Sequence, residues 1–152
     1  MQRNERGNSP SEERLNETRI DEMVGFVIKG TDDPEKMVRL FQKGGIIYEF
    51  VNNDNRRNTK PHQLRAFYST LVGLVELNKT ANSEVRKAIR FELARMSPMA
   101  HYREGRNLID KRYANFIRKC ATEVAKKPDT EFTKSLERFR HVYEAIIAYA
   151  VD

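Results

Sequence analysis

The chain has 152 residues, 39% hydrophobic and 33% charged, enough apolar material for one domain with a thin core. Its formal charge of +6 and single cysteine exclude an internal disulfide and fit a reducing compartment. No apolar run approaches the roughly 20 residues of a membrane span, and the polar segment from Met1 to Asn16 holds no signal region, so the expected location is cytoplasmic.

Residues 1–17 carry almost no large apolar side chain besides Leu15 and read as a disordered tail, leaving 18–152 as a single helical bundle domain. From Thr18 to Lys29, Ile20, Met23, Val24, Val27 and Ile28 recur at helical spacing, and Gly30 closes the segment. Asp33-Pro34-Glu35 is a helix start, a capping carboxylate followed by Pro at the first helical position. The apolar pattern then runs to about Asn53 through Gly44-Gly45, although each glycine weakens a helix interior by about 1 kcal/mol.

Thr59–Leu77 forms the next predicted helix, with Pro61 in its first turn and Arg65 bordering its apolar stripe. Ser83 caps another, in which Val85, Ile89, Leu93 and Met96 face one way and Arg86, Lys87 and Arg90 another. Ser97-Pro98 is expected to break it, because proline disfavours helix at the residue before it. The segment 99–106 leads into an amphipathic helix from about Leu108 to Lys127. On a helical wheel Ile109, Tyr113, Phe116, Ile117, Cys120 and Val124 share one stripe, with Lys111, Arg112, Arg118, Lys119 and Lys126 opposite. Pro128-Asp129 opens a last helix whose end, residues 145–151, is apolar almost all round, so this helix is expected to be central to the core. No strand alternation, repeat or interdomain linker is present, so the expected fold is all-α, a compact bundle of five to six helices with the disordered N-terminal tail.

The charge is segregated. Residues 1–54 hold 8 Lys/Arg against 11 Asp/Glu, residues 55–127 hold 17 against 6, and residues 128–152 hold 3 against 5. The middle block at +11 suits a polyanionic partner, because each phosphate neutralised releases counterions.

Catalytic patterns are sparse. There is no Gly-rich phosphate loop, HExxH, paired-cysteine spacing or nucleophile elbow, so no catalytic residue, metal or cofactor is expected. Cys120 lies on the apolar stripe and reads as a core residue. HEPN-class ribonucleases carry Arg a few residues before His, and Arg95 with His101, and Arg56 or Arg57 with His62, have that spacing. With 17 Arg and three His in the chain, chance matches of this kind are expected. Lys111 and Arg118, continued upstream by Arg103 and Arg106, form a face suited to phosphates. Tyr102 beside it either packs on the core or stacks on an unpaired base.

Three blocks, in order, are similar to a known family. They are Thr59-Lys60-Pro61-His62-Gln63-Leu64-Arg65-Ala66-Phe67-Tyr68, then Ser97-Pro98-Met99-Ala100-His101-Tyr102-Arg103-Glu104-Gly105-Arg106, then Phe139 with Tyr143-Glu144-Ala145-Ile146-Ile147-Ala148-Tyr149. Together they resemble the small helical (Csm-type) subunit of type III-A CRISPR effector complexes. Ala66 departs from the family, which often has a second basic residue there, and His101 stands where the family has Ala before Tyr. The resemblance implies an all-α, non-catalytic subunit that contacts the guide (crRNA) and target RNA backbone beside other subunits, including neighbouring copies of itself. Arg65, Arg103, Arg106, Lys111 and Arg118 would face RNA, with Lys60 a further candidate. A HEPN-like helical ribonuclease and a helical protein-interaction adaptor are the alternatives.

Overall fold

A computed structural model describes residues 10–52 and 61–150, and among them every regular element is helical. They are α1 (Pro10–Lys29), α2 (Pro34–Phe41), α3 (Ile46–Asn52), α4 (Pro61–Asn78), α5 (Ser83–Gly105), α6 (Lys111–Ala125) and α7 (Asp129–Ala150). The all-α bundle is therefore as expected, with two short helices where the sequence pattern gives one.

The division falls at Gly44-Gly45. Gly44 adopts φ +85, a left-handed conformation that favours glycine. A Cβ on Gly45 would lie 2.2 Å from the Arg39 carbonyl oxygen, so this position admits no side chain without moving backbone. The Gly45 amide bonds to the Gln42 carbonyl at 2.9 Å, and the chain re-enters helix at Ile46. Asp33 caps α2 as expected, accepting from the Glu35 amide at 3.0 Å.

The N-terminal boundary is a correction. α1 begins at Pro10, so residues 10–17 of the expected tail are helical, while residues 1–9 lie outside the described residues. The buried face continues upstream of Ile20 through Asn16, a polar residue that hides the helical period from an apolar count. The Asn16 amide oxygen accepts from Arg19 at 3.1 Å.

The expected break at Ser97-Pro98 is a second correction, since α5 runs through Pro98. Ile89, Leu93, Met96 and Ala100 are all buried at successive spacings of four, three and four, a single stripe that continues across the proline. α5 makes its most extensive contact with α6. Keeping that stripe in register outweighs the one hydrogen bond that proline removes. The α5 cap is Asn82 rather than Ser83, accepting from the Val85 amide at 2.9 Å.

α6 and α7 occupy the middle of the bundle. α6 packs on α1, α5 and α7, and α7 also packs on α3 and α4. The predicted α6 stripe of Ile109, Tyr113, Phe116, Ile117, Cys120 and Val124 is buried throughout. In α7 the buried positions run from Phe132 to Ile146. Beyond them Ile147, Tyr149 and Ala150 are half-buried and Ala148 is exposed, so α7 is central as expected while its apolar end lies at the margin of the core. The buried Tyr143 hydroxyl donates to the Leu64 carbonyl at 2.8 Å, tying α7 to α4.

Two glycines test this reading. Gly45→Ala must displace backbone, whereas a Cβ on Gly73, inside α4, meets nothing within 4 Å. Gly73→Ala is expected to stabilise the chain by up to about 1 kcal/mol and Gly45→Ala to destabilise it by at least that much, measured by urea denaturation. Equal effects would remove the steric account of the α2–α3 turn.

Candidate nucleic-acid interface

The end of α5 is closed by a left-handed residue. Asn107 has φ 59, the Leu108 amide reaches the Arg103 carbonyl at 2.9 Å, and the Asn107 amide reaches the Glu104 carbonyl at 3.0 Å. This pair of bonds is the Schellman closure, which satisfies the last carbonyls of a helix. It fixes Arg103 and Arg106 at the negative end of the α5 dipole, where cations are favoured.

Arg103 is half-buried, its guanidinium 4.4 Å above the Phe67 ring of α4. Its Nη1 is buried and has no hydrogen-bond partner among the described residues. With Ala66, Phe67, Thr70, Arg95 and Met99 it lines a groove of about 200 Å³ between α4 and α5. Arg106 is exposed and lies 5.5 Å from the Tyr102 ring. Tyr102 is 56% exposed, so of its two readings the core one is excluded.

Lys111 opens α6 and is exposed. Arg118 stands two turns further on the same line of the helix, roughly 10 Å along the axis. It donates to the Asn115 side-chain oxygen, and its Nε is buried without a partner. Arg65 is exposed on α4, two residues before Phe67. The structure thus gathers Arg103, Arg106 and Lys111 around the α5–α6 turn, places Arg118 along α6 from it, and leaves Arg65 on the neighbouring helix. Lys60 lies outside the described residues.

Arg112 corrects the helical wheel. It is 5% exposed, and its guanidinium donates to the Phe50 carbonyl at 3.2 Å and to the buried Asp110 carboxylate at 3.4 Å. It also lies 4.8 Å from the Tyr113 ring. A wheel of α6 alone places Arg112 with the basic residues, because it contains nothing of α3 closing over that side.

Ion pairing separates the cations of the basic block. Lys79 pairs with Glu76, Lys87 with Glu84, Arg95 with Glu92 and Lys126 with Glu123. Lys119 pairs with Asp21, Lys127 with Glu131, and Arg112 with Asp110. Arg86 and Arg90 share Asp129. Arg90 also donates to the Ala125 and Lys127 carbonyls at 2.7 and 2.6 Å, stapling α5 to the α6–α7 turn. The hydrogen bond from Arg90, the largest influence, together with the charges of Arg86 and Arg90, holds the Asp129 carboxyl below its ordinary range against the opposing effect of desolvation. Arg65, Arg103, Arg106, Lys111 and Arg118 are the cations of residues 61–127 that carry no ion pair among the described residues. Six of these pairs lie within four residues and are open to a sequence reading, but Lys119–Asp21, Arg86–Asp129 and Arg90–Asp129 depend on which helix faces which.

The remaining candidates for chemistry are separate from one another. His62, His101 and His141 are exposed, and among the described residues no group of side chains could hold a metal ion. Arg95 and His101, six residues apart on α5, lie about 120° apart around the helix, with Arg95 held by Glu92 at 2.8 Å. Cys120 is fully buried, and burial pushes its thiol well above the usual range. Among the described residues no helix is long and apolar enough to cross a membrane.

Arg112→Met keeps the side-chain volume but leaves the Asp110 carboxylate and Phe50 carbonyl without the guanidinium. A loss of about 3 kcal/mol or more is expected, measured by urea unfolding. A neutral result would show that the pair does not hold this turn.

A family model described as Csm2 Type III-A matches residues 34–150, more than half of the chain. No curated protein and no solved structure matches it.

Proposed function

We propose that this chain, which belongs to the Csm2 family and is a small subunit of the type III-A CRISPR complex, binds the guide–target RNA backbone without catalysing its cleavage. The observation that supports the reading is the set of cations without ion pairs. Arginines and lysines already neutralised by carboxylates of their own chain release few counterions on meeting phosphate. Those without such partners keep their full charge for it. Within residues 61–127, the five described cations without ion pairs are the same five that the family resemblance singles out there, and Lys111 and Arg118 among them also lie on the basic side of the α6 wheel.

Four of them follow the α5–α6 turn and one line of α6, a pattern that suits contacts to successive phosphates and reads no base edge. Tyr102, exposed beside Arg106, adds an aromatic surface on which an unpaired base can stack. Neighbouring copies of the chain and the other subunits of the complex would extend this surface, since one copy reaches only a few phosphates.

The test uses the assembled complex with its guide RNA. Arg106→Glu with Lys111→Glu changes two exposed residues, so folding is expected to be unaffected. Target-RNA affinity should fall, and the slope of log K against log salt should flatten by about 0.7–0.9 for each phosphate no longer neutralised. Unchanged affinity and slope would reject the assignment and favour a protein-interaction adaptor. Incubating the isolated chain with RNA should give no cleavage; metal-independent cleavage that disappears in His101→Ala would instead establish the ribonuclease reading.

A further inference from the structure

A second cationic site lies at the other end of α6, roughly 20 Å from Lys111 by helix length. A recess of about 550 Å³ opens between the end of α1, the start of α2 and the first turns of α7. Three cations reach it from segments whose net charge is negative: Lys29, the last residue of α1, and Lys134 and Arg138, four apart on α7. Phe26 and Met37 supply an apolar wall, and Met37 is 39% exposed.

Arg138 is the fixed point of this recess. Its Nε donates to the Val27 carbonyl at 3.0 Å, and its Nη2 to the Ile28 carbonyl at 3.1 Å and the Ser135 hydroxyl at 3.4 Å. The guanidinium is therefore immobilised against the end of α1, and its Nη1 has no hydrogen bond among the described residues. Gly30 keeps that edge uncovered, because a Cβ there would lie 3.2 Å from Nη1 and the backbone has φ +68. Of the other charged groups lining the recess, Lys127 and Glu131 pair with each other at 3.6 Å, and Asp32 is the remaining carboxylate. Set against Lys29, Lys134 and Arg138, it leaves the recess with a net positive charge.

We propose that this recess binds a small phosphorylated molecule of nucleoside-monophosphate size. Its phosphate would be held by Arg138 and Lys134 with Lys29 at the rim, and its apolar part would lie against Phe26 and Met37. An immobilised guanidinium with a spare donor edge is suited to a phosphate oxygen. The volume falls within the range of small-ligand sites, and a bare phosphate would leave both Phe26 and Met37 uncovered. The site uses none of the five cations assigned to RNA, so it stands or falls independently of that assignment.

The full chain, labelled for amide NMR, is titrated with adenosine 5′-monophosphate and, in parallel, with inorganic phosphate. Saturable shifts with the nucleotide are expected at Lys29–Asp32 and Thr130–Arg138. Phosphate should move the same amides with about tenfold weaker affinity. Lys134 and Lys29 are exposed, so Lys134→Glu with Lys29→Glu should preserve the spectrum of the free protein and weaken nucleotide binding by at least about tenfold. Absence of saturable shifts at these amides, shifts confined to Tyr102–Lys111, or shifts that persist unchanged in the double variant would each overturn the site. Equal affinities for nucleotide and phosphate would overturn the role of the apolar wall.

Discussion

The Arg112 guanidinium, buried where α3 ends and α6 begins, is the contact on which the arrangement of the basic turn depends. Moving a cation out of water costs several kcal/mol. Here that cost is met by the Phe50 carbonyl and the Asp110 carboxylate, with the Tyr113 ring beside it. One consequence is visible in the helix cap. Asp110 occupies the N-cap of α6 yet makes no side-chain bond to the helix amides, because its carboxylate is turned toward Arg112. A cap is worth about 1 kcal/mol, less than an unpaired buried guanidinium would cost. The ion pair therefore prevails, and it fixes the spacing between the Schellman closure of α5 and the first turn of α6, where Arg106 and Lys111 stand.

Much of the fold was legible because helical burial has a period. The α6 stripe from Ile109 to Val124 and the α7 positions from Phe132 to Ile146 are apolar at the spacing that one buried helix face requires, and both are buried. The departures have definite causes. Asn16 extends the α1 face with a polar side chain that an apolar count omits. Pro98 was read by its local rule, but Leu93, Met96 and Ala100 hold α5 against α6 across it. The α2 run ends at Gln42, whose backbone is extended, and at Gly45 the Arg39 carbonyl oxygen leaves no room for a side chain; no side-chain pattern reports such contacts.

The candidate interface was legible in a different way. Counting charges located the basic block, and the wheel chose a side of α6, but neither could say which cations are neutralised by another helix. Lys119 meets Asp21 from α1, and Arg86 and Arg90 meet Asp129 from α7. Only the packing of the helices brings these partners together. Arg112 shows the same limit from the other side, being on the basic half of the wheel and inside the protein. The family blocks supplied what the wheel lacked, since they single out residues on α4 and α5 that no pattern within α6 could reach. The recess around Arg138 lies in segments whose net charge is negative, so the charge count that revealed one cationic site concealed the other.

Arg103 illustrates how such a surface can be stable alone and still favour a polyanion. Its stack on Phe67 is worth about 0.5–1 kcal/mol when partly exposed and somewhat more when desolvated. Its buried Nη1, without a partner, costs about 1–3 kcal/mol. The stack offsets only part of that cost, so the guanidinium is held in place without being strongly committed to its own protein. Arg90, with two carbonyls, a carboxylate and the Phe132 ring around it, is at the opposite extreme. A phosphate arriving at the α5–α6 turn would meet in Arg103 a guanidinium with no ion pair among the described residues, whereas drawing Arg90 away would undo the joint between α5 and α7. The same residue type thus serves structure at one end of α5 and remains available for binding at the other, according to how many acceptors the fold places around it.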